Sequence, residues 1–117
     1  MMSNTRAWIH CRVSNKKQHD LLQYQKKLLT NFCEITEMKI VGTTSLVDSG
    51  DDASCYALLT LISEIKRRSV DVVLVYDRSR ITRHLDKFME FQMFCEMNKV
   101  VVLDLQVFNS QTDFLLL

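Results

Sequence analysis

Two hydrophobic patterns alternate along this chain. Apolar residues run almost unbroken over short stretches: Ala7 to Val13, Asp71-Val72-Val73-Leu74-Val75-Tyr76, and Val100 to Leu105. Between them they recur every three or four positions, as in Leu21, Leu22, Gln25, Leu28, Leu29 and Phe32. The short runs read as strands covered on both faces, and the three-four spacing reads as amphipathic helix. Strands are therefore expected over about 6–13, 71–76 and 100–105, with a less cleanly bounded one from Lys39 to Val47. Helices are expected over about 17–34, from a cap at Asp52 or Ser54 to about Arg68, and over about 84–97. Asp48-Ser49-Gly50-Asp51-Asp52 reads as a turn or loop, and Asp77 to Arg83 as a polar connection.

The order β-α-β-α-β-α-β implies an α/β fold: three layers, α/β/α, around a mainly parallel sheet with right-handed crossovers. Ligands of such folds sit beyond the carboxyl ends of the strands. Ser14, Asp48 and the 77–83 segment all fall there. Residues two apart on a strand share a face, so Arg12 and Ser14 can address one group. Arg80 and Arg83 follow the 71–76 strand. A hydroxyl and three guanidiniums at neighbouring strand ends suit a phosphodiester, because the arginine fork matches two phosphate oxygens.

A chain of 117 residues makes one domain with a real core. Its composition, 47% hydrophobic and 25% charged, is that of an ordinary globular protein. A net charge of +1 gives no broad nucleic-acid-binding field, so any DNA contact must be local or supplied by another segment. No apolar stretch approaches the ~20 residues of a membrane span. Met1 to Arg6 lacks a signal-peptide core, and a cytoplasmic protein is expected. Cys11, Cys33, Cys55 and Cys95 lie on separate elements with no C-x-x-C pair, so reduced thiols are expected and no metal site. With no proline and only Gly42 and Gly50, long structured loops and flexible linkers are not expected.

Ile9-His10-Cys11-Arg12-Val13-Ser14, followed by Gln18, Leu22 and Gln25, resembles the opening of the serine site-specific recombinases, the resolvase/invertase family. The likeness continues through Asp48-x-Gly50 and Asp71-Val-Val-Leu-Val-Tyr76 into the arginine loop, roughly residues 6–106. The family's loop reads Asp-Arg-x-x-Arg with an apolar residue after the first arginine. Asp77-Arg78 matches it literally but puts Ile81 at the second arginine. Setting Arg80-Ile81-Thr82-Arg83 on the pattern keeps both arginines and places Ser79 at the aspartate, a variant that resembles large members of the family. Two further departures stand out: His10 replaces the usual tyrosine, and Cys55-Tyr56 replaces an arginine-proline.

The resemblance implies a resolvase-like domain in which Ser14 attacks a DNA phosphodiester, leaving a 5′-phosphoserine link and a free 3′-hydroxyl. Arg12, Arg80 and Arg83 would hold the phosphate, Gln18 and Gln25 would orient the network, Asp48 would position an arginine, and Ser79 would stand at the loop's aspartate. No cofactor is implied. Double-stranded DNA and self-association belong to the complete protein, whose long dimer helix and DNA-binding region this single domain, residues 1–117, would lack. Read without the resemblance, Ser14 caps the following helix, the loop arginines are solvated and Asp48 is a turn residue. Gln25 is odder, since a buried amide must find partners.

Three other functions compete with this one. A recombinase-like binding or regulatory module could have lost part of the site. A phospho-receiver needs an acidic pocket where this chain is arginine-rich. A flavin or dinucleotide site wants a glycine-rich first loop, and Val13-Ser14-Asn15-Lys16 has no glycine.

Overall fold

The computed structural model describes residues 4–48 and 56–109. Strand β1 (Arg6–Val13) leads through a single 3₁₀ turn (Lys16–Gln18) into helix α1 (His19–Thr36). Then follow β2 (Lys39–Val47), α2 (Tyr56–Lys66), β3 (Val72–Val75), a 3₁₀ turn (Arg78–Arg80), α3 (Leu85–Met97) and β4 (Val101–Asp104). The sheet order is β2-β1-β3-β4, and every pairing is parallel. This is the three-layer α/β/α architecture that the alternating pattern implies. Asp52, Ser54 and Cys55, Gly50 and the apolar tail Phe114 to Leu117 lie outside the described residues.

Two apolar cores flank the sheet. On one side Ala7, Ile9, Cys11, Val13, Val72 and Leu74 pack against Leu22, Leu29 and Cys33 of α1. On the other, Trp8, Val73 and Val75 meet Leu58, Leu61 and Ile65 of α2 and Phe88, Phe91 and Cys95 of α3. Each fully buried Leu, Ile or Val side chain contributes about 1.5–3 kcal/mol to folding. Helix α1 stops where Glu37 turns left-handed (φ 61°), its N–H and that of Met38 closing on carbonyls of the last turn.

The wide indole of Trp8 shapes the β1–β2 register. Ala7 pairs with Ile40 but Trp8 with Gly42, so Val41 is a bulge. A Cβ on Gly42 would stand 2.1 Å from the Trp8 ring. The glycine is there because the indole lies across it.

Two boundaries differ from the sequence expectation. Leu105 opens a helical stretch over 105–109 instead of closing β4, because Asp104 accepts from the Val107 amide and caps it. The continuous apolar run of β4 also predicts cover on both faces, yet β4 is an edge strand and Val101 is 59% exposed. An apolar run does not distinguish a central strand from an edge strand. Helix α2 ends at Lys66, and Arg68 then adopts a positive φ of 59°.

Candidate active site

Strand β1 outruns its neighbour β3. Their pairing ends at Ile9 with Leu74, whereas β1 and β2 stay paired to Val13 and Val47. On that side the peptide groups of Arg12 therefore have no strand beside them and need other partners. Gln25 supplies these from α1: its Oε1 accepts from the Arg12 amide at 3.3 Å and its Nε2 donates to the Arg12 carbonyl at 2.9 Å. A glutamine with no exposed surface on an apolar helix face thus stands in for a missing strand.

Past Val13 the chain turns outward and Ser14 is exposed. Its amide donates to Oε1 of Gln18 at 2.8 Å. Ser14 is not the cap that an isolated reading would make it. Asn15 takes that position, accepting from the Lys17 amide at 3.0 Å.

Arg12 points into the protein and is nearly buried. Nε and Nη2 donate to the Ser79 carbonyl at 3.2 and 2.6 Å, and Nη1 donates to the Asp48 carbonyl at 2.7 Å. One guanidinium thus ties the ends of β1 and β2 to the loop after β3. Three of its five N–H groups are spent on carbonyls. Burial lowers its pKa, the neighbouring cations Arg80 and Arg83 lower it further, and the carboxylates of Asp48 and Asp77 work the other way. Crowded cations in a poorly solvated place are the electrostatic condition of an anion receptor.

Asp77 organises the arginine loop. Its Oδ1 accepts from the Ser79 amide at 2.9 Å and from the Ser79 hydroxyl, capping the 3₁₀ turn. Its Oδ2 pairs with Arg80 Nη2 at 3.4 Å. Arg80 Nη1 reaches the Arg12 carbonyl at 3.1 Å, and its guanidinium sits 5.5 Å from the centroid of the Tyr76 ring. Arg78 faces elsewhere: it is exposed, and its amide donates to Asp104 at 2.9 Å. Arg83 is also exposed, close enough to act electrostatically on Arg12.

The structure thus joins Arg12, Gln25, Asp48, Ser79 and Arg80 by direct hydrogen bonds at the carboxyl mouth of the sheet. Ser14 and Gln18 are on the turn that follows immediately, and Arg83 is at the loop's outer end. Asp48 reaches Arg12 through its backbone carbonyl. Asp77, read in the sequence only as the aspartate of the register set aside, joins the site, and so does Tyr76. An aspartate just past a buried strand, two residues before a serine, is a capping signal that could have found Asp77. No local signal marks Tyr76 as the partner of Arg80. Among the described residues, no three His, Cys, Asp or Glu side chains are grouped to hold a metal ion.

A serine and clustered arginines at the mouth of a parallel sheet form the class of site whose chemistry suits an anionic group. Within that class, the chain belongs to the resolvase N-terminal domain family, whose model matches residues 7–115. Solved structures agree. The C-terminal catalytic domain of ISC1926 TnpA, an IS607-like serine recombinase, is 31% identical, spans 86% of this chain and 69% of that one, and has a TM-score of 0.82. The N-terminal catalytic domain of TP901-1 integrase is 24% identical, spans 87% and 78%, and has a TM-score of 0.79. A resolvase family site-specific recombinase from Streptococcus pneumoniae is 20% identical, spans 87% and 72%, and has a TM-score of 0.73. The last two likenesses show the fold.

Proposed function

We propose that this domain carries out site-specific DNA recombination with Ser14 as the nucleophile. The observation that carries the reading is the bond from Arg80 Nη1 to the Arg12 carbonyl, which draws the arginine loop to the strand end that bears Ser14. Ser14 Oγ attacks a backbone phosphorus and gives up its proton. The bond from phosphorus to the 3′-oxygen breaks, and that oxygen leaves as a hydroxyl. The protein then holds the 5′-phosphate as a serine ester. Attack by a 3′-hydroxyl reverses the step and frees Ser14, so the phosphodiester energy is kept and resealing needs no nucleotide.

The side chains divide this work. Serine is a weak nucleophile at its ordinary pKa and needs help from its surroundings. Arg80 and Arg83 grip the phosphate and offset the charge that grows on its oxygens in the transition state. Arg12 adds its charge and two remaining N–H groups while locking the loop to β1. Gln18 sets the Ser14 turn, Gln25 holds the Arg12 backbone, and Asp48 receives Arg12. The family's loop aspartate is Ser79 here, and Asp77 supplies a carboxylate beside Arg80 instead. That pairing favours an intact site over a binding or regulatory module that has lost it.

Double-stranded DNA is the substrate. A net charge of +1 gives little nonspecific pull on a duplex, so recognition and self-association fall to other regions of the complete protein. The domain works in the cytoplasm. None of its described helices is long and apolar enough to cross a membrane.

The test is to trap the complete protein on a suicide DNA site and locate the adduct by mass spectrometry. A phosphodiester link at Ser14 is expected. Ser14→Ala should abolish it while changing unfolding stability by no more than about 0.5 kcal/mol, since the side chain is exposed. Linkage through another residue, or an unchanged adduct yield in Ser14→Ala, overturns the assignment.

A further inference from the structure

Two buried side-chain nitrogens among the described residues lack a hydrogen-bond partner, His10 Nε2 and Arg80 Nε. Buried polar atoms are rarely left unpaired, and each such atom calls for an explanation. The ring that carries the first lies near the backbone of the residue that carries the second. His10 sits inside the protein on the same face of β1 as Arg12, and the Arg80 backbone is near enough to favour a proton on its ring.

The other ring nitrogen is fixed. His10 pairs with Thr44 across β1 and β2, and Nδ1 lies 2.5 Å from Thr44 Oγ1. That hydroxyl already accepts from Trp8 Nε1 at 3.1 Å. An indole N–H can only donate, so the Thr44 hydroxyl keeps its own proton, free to donate to Nδ1. With that proton on the short Thr44–His10 bond, Nδ1 accepts and Nε2 carries the ring's proton. In the chain Trp8 Nε1–H to Thr44, Thr44 Oγ1–H to His10, Nε2–H is the donor left for the Arg80 backbone.

We propose that His10 is a positioning residue for Arg80, its Nε2–H closing on the Arg80 backbone carbonyl and holding the arginine loop in place to receive the phosphate. The bonds between the loop and the end of β1 run through guanidiniums of the charged site: Arg12 to the Ser79 carbonyl and Arg80 to the Arg12 carbonyl. An incoming phosphate competes for those guanidiniums. A neutral imidazole anchored on β2 through Thr44 does not compete for the anion, so it keeps the backbone of the loop in register while the arginines change partners. The proposal rests on the reading of Arg80 as a phosphate ligand.

The side-chain chemistry supplies its own controls. Glutamine keeps an N–H donor at the ε position, asparagine keeps only a group at the δ position, and phenylalanine keeps the ring shape with neither. In single-turnover cleavage by the complete protein, His10→Gln should stay within about threefold of the parent. His10→Asn and His10→Phe should each lose roughly tenfold, the effect of one positioned hydrogen bond. Equal losses in all three variants would mean the residue only fills space, and no loss in any of them would mean it does not position the loop. Either result overturns the proposal.

A nitrogen NMR spectrum of the unmodified 117-residue chain at neutral pH needs neither DNA nor a variant that folds. The proton should be on Nε2 with Nδ1 bare. A proton on Nδ1, or a charged ring, overturns the proposal whatever the cleavage rates. Ser14→Ala, run alongside, separates the two ideas: adduct surviving in that variant sinks the nucleophile, while the imidazole spectrum speaks only to His10.

Discussion

The two faces of β1 lie in the same protein interior and are built on opposite terms. Ala7, Ile9, Cys11 and Val13 enter an apolar layer beneath α1, where any hydrocarbon of similar volume would serve. Trp8, His10 and Arg12 point to the other side, and each carries nitrogen that must be satisfied or left at a cost. Thr44, the Ser79 carbonyl and the Asp48 carbonyl satisfy most of it. One face therefore holds by area alone, and the other adds directed bonds, from Trp8 and His10 to β2 and from Arg12 to the end of β2 and the arginine loop. Burial alone does not tell a structural strand from a functional one, but the partners of its buried polar atoms do.

The largest expected effect lies at the polar end of that comparison. Arg80→Ala in the complete protein should slow single-turnover cleavage by about 10²–10³-fold, the usual result of removing one donor from a developing oxyanion. Arg78→Ala, two residues away, should leave the rate within about threefold, because its side chain is exposed and the bond it makes to Asp104 comes from its backbone. Equal losses from the two variants would show that the loop contributes general charge and not a placed arginine.

Acid offers a second way to separate the faces. Burial pushes the His10 pKa down from 6.5 to about 4, opposed by the Arg80 backbone and reinforced by the charge of Arg12. Above pH 6.5 the ring is neutral whether the chain is folded or not. Below that the unfolded chain takes up a proton that the folded one refuses. Stability should fall by up to about 3 kcal/mol between pH 6.5 and pH 4 and then level off for this group. Urea titrations across that range should show the decline, and His10→Gln should flatten it. Asp71, whose pKa is held down by Arg6 at the far end of β1, contributes stability that is lost only at lower pH, as the carboxylate itself takes up a proton.

The apolar face should give the smallest effect and no change in chemistry. Ile9→Val should cost about 0.5–1.5 kcal/mol in denaturant unfolding. Cleavage per folded molecule should not change, because Ile9 touches the α1 core and none of the polar chain. A rate loss in that variant would show that the two faces are coupled through the strand.

How much of this was legible beforehand depends on the range of the interaction. Runs such as Val72–Val75 and the three-four spacing of Leu22, Gln25 and Leu29 are local patterns, and they carry the element order and with it the parallel sheet. They also place Ser14, Asp48 and the arginine loop at one edge, since topology puts every strand end there. The spacing of Gln25 announced only that an amide was buried. That it replaces a missing strand beside Arg12 follows from β1 being longer than β3, a relation between distant segments.

The sequence by itself determined the alternation of elements, the sheet edge where the candidate site lies and the residue types gathered there, because periodicity and turn chemistry act within a few residues. Only the tertiary structure decided which way each polar group turns. Arg12 faces inward to carbonyls 36 and 67 residues away, Arg80 and not Arg78 reaches the strand end, and Asp77 supplies the carboxylate that Ser79 lacks. Thr44 joins Trp8 to His10 from 36 and 34 positions further along the chain. A hydrogen bond is satisfied by whichever partner the fold brings within about 3 Å, and sequence distance places no limit on that.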